Sequence, residues 1–549
     1  MSSNKRVFIN QLGYRPGDRK TFTAAGIAGS FEVVDARAGS VVYAGETSAV
    51  AYDASSGIEA AKGEFTAVRQ SGTYFIRMVG NGDVRSPLFP IEPEPYREAG
   101  RALLKNFYYN RCGIALEPEY AGPWAHAACH LSDAHVHGEP SERHTQIGGW
   151  HDAGDYGKYT VPAAKAVADL LLAYEWFPGA FTEPVGIPES GNGIPDVLNE
   201  VKFEMDFLLR MQRADGAVYH KVTTAVFPPL DTMPEDDDGD LIFSPVSDAS
   251  TASFAAVAAM AARFFKRIDP DYAGACALAA KAAWSWLQSD AMEQGFVNPA
   301  DIKTGEYGDD NWQDEIYWAA AELYKLTGEE AYLLAAAELA RKQAFSLTEL
   351  GWADVGGYGT LALLTLEGEA AKAVPSDLRE LLLDAWIAEA RLYAERAEAD
   401  GFGISLLPDD YIWGSNMVVL NRAMLLITAS RLAGDRSFAA AALDHWNYLF
   451  GRNVLGCSYV TGHGSNPVRN PHHRPSVADG VEEPVPGMVA GGPNAGLQDE
   501  IAAAELKGRP PAACFIDHID SYSTFEIAIY WNSPAVFVAA FVNAVPEIA

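Results

Sequence analysis

The chain has 549 residues, too many for one ordinary domain, and 48% of them are apolar, enough for a large core and too many for a disordered chain. Against 41 lysines and arginines stand 73 aspartates and glutamates, a formal net charge of −32. Nucleic acid and anionic membrane surfaces require a basic face, so the balance argues against both. A neutral substrate such as uncharged sugar is compatible, and so is an acidic surface that only confers solubility.

Residues 5 to about 92 read as short strands. Phe31–Asp35, Val41–Tyr43 and Tyr74–Val79 are rich in β-branched and aromatic residues, and the turn signals AGS, SSG, QSG and GNGD separate such runs, the spacing of a small antiparallel sandwich. Pro90–Pro95 (PIEPEP) reads as a linker, because three prolines in six residues fit neither a helix interior nor a central strand. The expected domains are 1–92 and 93–549. The start MSSNKRVFINQLGYRP lacks an apolar signal region and no run of 18 apolar residues occurs, so the chain as written reads as cytoplasmic, or as secreted if a signal was removed. Five cysteines, an odd number, form no disulfide framework and suit a reducing compartment or metal ligation.

Beyond the linker, about twelve segments rich in Ala, Leu, Glu and Lys predict helices near 97–110, 160–176, 194–213, 247–267, 271–290, 312–327, 329–345, 357–367, 376–397, 415–433, 436–451 and 523–544. In the sixth, Trp312, Ile316, Ala319, Ala320, Leu323 and Leu326 share one helical face; in the third, Pro195 marks the start and Gly216 follows the end. Twelve helices suggest six antiparallel hairpins, which a toroid would close so that every inner face is buried. Periodicity does not establish closure, and no repeat of fixed period marks a solenoid. Long loops at 111–159, 216–246, 452–498 and 508–522 hold the unusual residues.

Four constellations carry chemistry. In Gly148–Tyr159 (GGWHDAGDYGKY), Asp152 and Asp155 stand three apart, where two carboxylates can hold one water and raise each other's pKa as a general base requires; capping the helix that follows is the plain alternative. Cys112, Cys129, His130 and His151 offer two thiolates and two imidazoles, the set tetrahedral zinc prefers, against buried cysteines and scattered loop histidines. Glu526, among the apolar residues of FIDHIDSYSTFEIAIYWNS (515–533), is placed for a raised pKa as a general acid, or as a first-turn glutamate favoured by the helix dipole. PHHR (471–474) offers Arg and His donors for sugar hydroxyls or a carboxylate. Trp312, Trp352 and Trp413 are candidate sugar-stacking faces, with Tyr411 and Trp531, although most such aromatics serve a core.

Together these residues resemble glycoside hydrolase family 9, the cellulase E family, from about residue 7 to the end. VFINQLGYRP is similar to the immunoglobulin-like module of one branch, GGWHDAGDYGKY to the catalytic aspartate motif, SYVTGHGSNPVRNPHHR to the histidine signature, and FIDHIDSYSTFEIAIYWNS to the aspartate/glutamate signature. The resemblance implies a mainly α fold, an (α/α)6 barrel behind an immunoglobulin-like β-sandwich, and inverting hydrolysis of β-1,4-glucan or cello-oligosaccharide by a monomer. It implies Asp155 as base, Asp152 as a holder of the water and Glu526 as acid, with the two carboxyls about 6.5–9.5 Å apart. His472, Arg474 and Tyr522 would bind sugar, and Asp517 matches the second signature. Structural zinc would sit on Cys112, Cys129, His130 and His151. Structural calcium would sit on Glu189, Asn192 and Asp196, and on Thr304, Glu306, Asp309 and Asp310 with Asp354. No organic cofactor is implied. The chain departs where Phe525 replaces the asparagine usual before the acid, which bears on substrate and cleavage mode. Endo action is the first expectation and an exo-acting β-glucosidase or glucosaminidase the alternative. A metal-dependent phosphohydrolase built on His151-Asp152 leaves Glu526 unused, and a non-catalytic sugar binder leaves all three carboxylates unused.

Overall fold

The structure is a computed structural model that describes residues 5–81, 84–289 and 295–544. The last two residues of the GNGD turn, residue 290 of the expected fifth helix and both ends of the expected domains lie outside the described residues.

Eight strands open the chain: β1 (Arg6–Phe8), β2 (Thr21–Ala25), β3 (Ser30–Asp35), β4 (Val41–Glu46), β5 (Ala51–Asp53), β6 (Ile58–Glu64), β7 (Gly72–Met78) and β8 (Phe89–Ile91). They pair antiparallel in two sheets, ordered β1-β2-β6-β5 and β4-β3-β7-β8. Tyr14, Phe22, Phe31, Phe65, Tyr74 and Phe89 fill the space between, with Phe22 edge-on to Phe31 at 4.8 Å. Each such ring removes roughly 150–250 Å² from water, which is what lets so short a run of strands hold a core.

The chain divides into two compact units, Met1–Asn106 with Ala390–His472 and Glu482–Ala549, and Phe107–Glu389 with His473–Val481. In the first, the sandwich is joined to helical segments by polar contacts: Asn10 Nδ2 donates to Asn447 Oδ1 at 2.9 Å and Gln11 N to Phe450 O at 2.9 Å. Helix Ser415–Ala433 packs on Arg436–Leu449 and on Ile529–Ala544. In the second, helix Asp248–Phe265 packs on Thr160–Trp176, Pro270–Leu287 and Gln313–Thr327, Thr160–Trp176 packs also on Asp196–Leu208, and Gln313–Thr327 packs also on Glu330–Lys342 and Gly356–Leu364. Local chemistry sets their ends. Ser247 caps Asp248–Phe265 by accepting from Ser250 N, Asp269 caps Pro270–Leu287, and Gly328 closes Gln313–Thr327 in the left-handed conformation.

The structure amends several expectations. Helix Gln313–Thr327 buries nearly its whole circumference, including Tyr317, Trp318 and Glu322, while Leu326 on the expected face is only half-buried, because neighbouring helices cover it on more than one side. The helix begun after Pro195 ends at Leu208, tightening into a 3-10 turn to Met211, well before Gly216. The loops read as irregular hold a five-stranded sheet: β9 (Ala134–Val136), β10 (Glu139–His144), β11 (Lys158–Tyr159), β12 (Lys221–Thr223) and β13 (Ile242–Phe243), ordered β10-β9-β13-β12-β11. Four of these five strands have only two or three residues, which leaves almost no alternation to read. The expected 523–544 helix is two helices, Tyr522–Phe525 and Ile529–Ala544, with Glu526 in extended backbone between them. No helix among the described residues is long and apolar enough to cross a membrane.

Candidate active site

The loop from Gly148 to Tyr159 is held from below by buried charge. Trp150 is 1% exposed; its N–H donates to Glu204 Oε2 at 2.6 Å, its indole Nε1 to Glu200 Oε2 at 3.2 Å, and its ring packs on Phe107. Glu200 and Glu204 lie one turn apart on Asp196–Leu208, so one helix face presents both. Burial raises both carboxyls, Glu204 to about 8, while Arg111 opposes the rise at Glu200. Lys158, on β11, donates to Gln146 O and Gly148 O and closes the other end. Gly149, at φ +77, is required because a Cβ would sit 2.6 Å from the Phe207 ring. Sequence reading missed this frame; its signal was carboxylates four apart on a helix with little exposed surface.

Neither aspartate caps a helix: Tyr159 occupies that position for Thr160–Trp176 and no side chain caps it. Asp152 Oδ2 accepts from Tyr307 OH at 2.6 Å, and its buried Oδ1 has no partner among the described residues. Asp155 Oδ2 accepts from Gly157 N at 2.9 Å and Tyr159 OH at 3.1 Å. Burial raises both carboxyls. At Asp152 the charge of Asp155 adds to the rise; at Asp155 the Arg474 charge and the two donors offset it. Burial therefore favours the neutral acid at both, more strongly at Asp152, while Arg474 and the two donors hold Asp155 closer to the anion. Arg474 is fixed on this loop, Nη1 donating to Gly154 O at 2.7 Å and Nε to Pro228 O at 3.0 Å.

In the other unit, Glu526 sits between two short bridges, to His472 on one side and, through Ile527, to Ala490 on the other. His472 N donates to Phe525 O at 2.8 Å, and His472 Nδ1 lies 2.6 Å from Ile519 O. Tyr522 lies between His472 and Trp413, at ring separations of 5.8 and 5.3 Å. Asp517 accepts from the backbone N–H groups of Arg469 and Asn470 at 2.9 and 2.7 Å, and so pins the segment that leads to His472. Phe525 is 0% exposed and packs on Phe515, so the departure from the family pattern faces the core. Trp413 is 38% exposed and Trp312 and Trp352 are half-buried, whereas Tyr411 and Trp531 are core residues.

Cys112, Cys129, His130 and His151 converge as one buried cluster, every ligand atom within 4.8 Å of the others. His130 Nδ1 is 3.7 Å from Cys112 Sγ and 3.4 Å from His151 Nε2, which is 3.9 Å from Cys129 Sγ. A tetrahedron with zinc's usual bond lengths has edges of about 3.3–3.8 Å, so the donors fit such an ion. His151 N donates to Asn110 O and Asp152 N to Gly157 O, so the cluster and the aspartates share one pinned loop.

Comparison with known proteins identifies this arrangement. Residues 96–539 match the glycosyl hydrolase family 9 model, and residues 2–83 match the cellulase N-terminal ig-like domain. The chain belongs to glycosyl hydrolase family 9. It is similar to a cellodextrinase of Butyrivibrio fibrisolvens, 40% identical over 97% of this chain and 98% of the relative. Among solved structures it is similar to a single-mutant thermostable endoglucanase from Alicyclobacillus acidocaldarius, with 46% identity, TM-score 0.91, and 98% of this chain and 100% of that one covered. It is equally similar to AaCel9A in complex with cellobiose-like isofagomine, with 46% identity, TM-score 0.92 and the same coverage. This family 9 member is therefore a glycoside hydrolase with a mainly α fold, an (α/α)6-barrel catalytic domain preceded by an immunoglobulin-like β-sandwich.

The acidic loops expected to hold calcium in this family 9 chain make the following contacts. Glu189 is bidentate to Arg111 at 2.9 and 3.1 Å, Asn192 bonds Asn199, and Asp196 Oδ2 accepts from Val185 N and Ser190 Oγ. Those acceptors already face donors. Thr304 bonds Thr223 and Lys221, and Glu306 accepts from Asn298 N, so both turn to other partners. Asp310 and Asp354 are exposed. Asp309 instead joins Asp314 and Glu315, which sequence reading missed because they open a helix. Asp309 Oδ2, Asp314 Oδ1 and both Glu315 oxygens are buried without hydrogen-bond donors among the described residues. Burial and mutual charge raise all three carboxyls, Asp314 to about 6. A hard-oxygen set of this kind suits calcium.

Proposed function

We propose that this protein is an inverting endo-β-1,4-glucanase with Asp155 as general base and Glu526 as general acid. The observation that carries the reading is the buried pair itself: Asp155 Oδ2 is held by Gly157 N and Tyr159 OH, and Asp152, three residues away on the same loop, keeps a buried oxygen with no partner among the described residues. Asp155 takes a proton from a water that Asp152 helps orient. The water oxygen bonds the anomeric carbon from the face opposite the leaving group as the glycosidic C–O bond breaks, and Glu526 gives its proton to the leaving oxygen. Protons and charge balance: one reaches Asp155, one leaves Glu526, and solvent exchange restores both.

Tyr522, Trp413 and His472, grouped at ring separations of 5.3 and 5.8 Å, are the residues to which we assign sugar stacking and hydrogen bonding, and Trp352, edge-on to Tyr307, and Trp312 are further stacking candidates. Arg474 acts on Asp155 through Gly154 and its charge. Zinc on Cys112, Cys129, His130 and His151 is structural, since four protein ligands leave no open position. Calcium on Asp309, Asp314 and Glu315, with Asp310 and Asp354 nearby, is structural also. Support for β-1,4-glucan as substrate comes from relatives named cellodextrinase and endoglucanase and from the cellobiose-like compound bound by AaCel9A.

Two readouts on a soluble β-1,4-glucan test the proposal. A first-formed α-anomer by NMR with a rapid fall in viscosity supports it. A first-formed β-anomer overturns inversion, and steady release of monomer at constant viscosity overturns endo action in favour of the exo alternative.

A further inference from the structure

Tyr159 is the last residue of β11, paired with Lys221 of β12, and its hydroxyl reaches back to the loop that precedes it. That hydroxyl donates to Asp155 Oδ2 at 3.1 Å, and Gly157 N donates to the same oxygen at 2.9 Å. Both donors fall on Oδ2; Oδ1 receives none from the described residues. The hydroxyl is confined. A Cβ on Gly157 would lie 2.5 Å from it and 2.7 Å from Asp155 Oδ2, and a Cβ on Gly305 would lie 3.2 Å from it. The ring is wedged edge-on against Tyr307 at 4.9 Å. Two positions in different loops are therefore glycine where any side chain would crowd one phenol.

We infer that Tyr159 is a positioning residue for the base, its hydroxyl anchoring Asp155 Oδ2 so that Oδ1 is the oxygen that takes the proton from water. The inference rests on the reading of Asp155 as base. A carboxylate held by two donors on one oxygen cannot rotate without losing both, so the other oxygen stays aimed. Donation to the anion also lowers the pKa of Asp155, against burial, which raises it. The other charged groups facing this carboxylate are Asp152, Arg474 and Lys221, whose Nζ lies 5.4 Å from the Tyr159 ring centre. Burial, with the charges of Asp155 and Asp152, holds the phenol well above its usual pKa, so it remains a donor across the working range.

Tyr159→Phe removes the donor and keeps the ring. The expected result is an acid limb of the kcat/KM–pH profile displaced upward by about half a unit to one unit, a kcat at the optimum lower by about tenfold, and an unchanged KM. An unmoved acid limb overturns the inference, whether activity is unchanged or falls equally at every pH with a lower Tm. Should this variant not fold, Gly305→Ala carries the test: it pushes the hydroxyl away by a few tenths of an ångström, and its acid limb should move up by a smaller amount. Asp155→Asn separates the two readings. If it retains activity, Asp155 is not the base; if it abolishes activity while the Tyr159→Phe profile does not move, only the role given to Tyr159 falls.

Discussion

Asp237 Oδ2 lies 3.2 Å from His130 Nε2, the ring nitrogen opposite the one beside Cys112. A carboxylate behind a metal-ligating imidazole fixes its tautomer and raises its basicity. Here it also ties the Cys112–Cys129–His130–His151 cluster to the loop between β12 and β13, whose Pro228 carbonyl receives Arg474 and whose Thr232 carbonyl receives Tyr156 OH. Asp237→Ala should weaken zinc binding by about 10–100-fold. Competition against a chromogenic chelator measures it; an affinity equal to wild type would show that Asp237 only decorates the loop.

Zinc removal should disturb catalysis without zinc touching sugar. His151 precedes Asp152 directly, and the backbone bonds of His151 and Asp152 close the loop that carries both aspartates. Chelation followed by metal analysis should lower kcat by about tenfold or more, leave KM within about twofold, and lower Tm by roughly 5 °C or more. Full activity and an unchanged Tm in a protein verified as zinc-free contradict this coupling.

Glu526→Gln should reveal its role through the leaving group. On cello-oligosaccharides kcat should fall by about 10²–10⁴-fold. On an aryl glycoside whose leaving group needs no proton the loss should be far smaller, whereas Asp155→Asn should lose activity on both. Equal losses for Glu526→Gln on the two substrates remove it as the acid.

Asp400 gives the fold a pH dependence. Burial first, and then the charge of Asp53, raise its carboxyl to about 7, while the N–H groups of Ile404 and Phe402 oppose the rise. The folded pKa exceeds the unfolded value of about 3.9, so the stabilisation is complete below about pH 4 and is lost as pH rises through 7. Asp400→Asn removes that titration. Its Tm, measured against wild type, should therefore compare better at pH 8 than at pH 5; a difference independent of pH rules the account out.

The sequence by itself carried most of the scaffold, because helices and their ends are local. Segments rich in helix-forming residues placed Thr160–Trp176 and Ser415–Ala433 at the bounds observed, and turn residues marked β3, β4 and β7. Motif chemistry also brought out Asp152, Asp155, Glu526 and the four metal-cluster residues, since unusual residue types in glycine-rich loops stand out against an apolar background.

Only the tertiary structure decided what those residues face. Tyr307 donates to Asp152 across 155 positions of chain, and Arg474 reaches Gly154 across 320. Neither tyrosine nor arginine carries a local signature of such a partner. The turn of Phe525 into the core, the gathering of Asp309 with Asp314 and Glu315, and the choice of Tyr159 rather than a helix cap as the partner of Asp155 have the same origin. Each depends on which side chain fills the neighbouring space, even where the partner is close in sequence, as Tyr159 is to Asp155, and that is fixed by packing and by the need to pair buried polar groups.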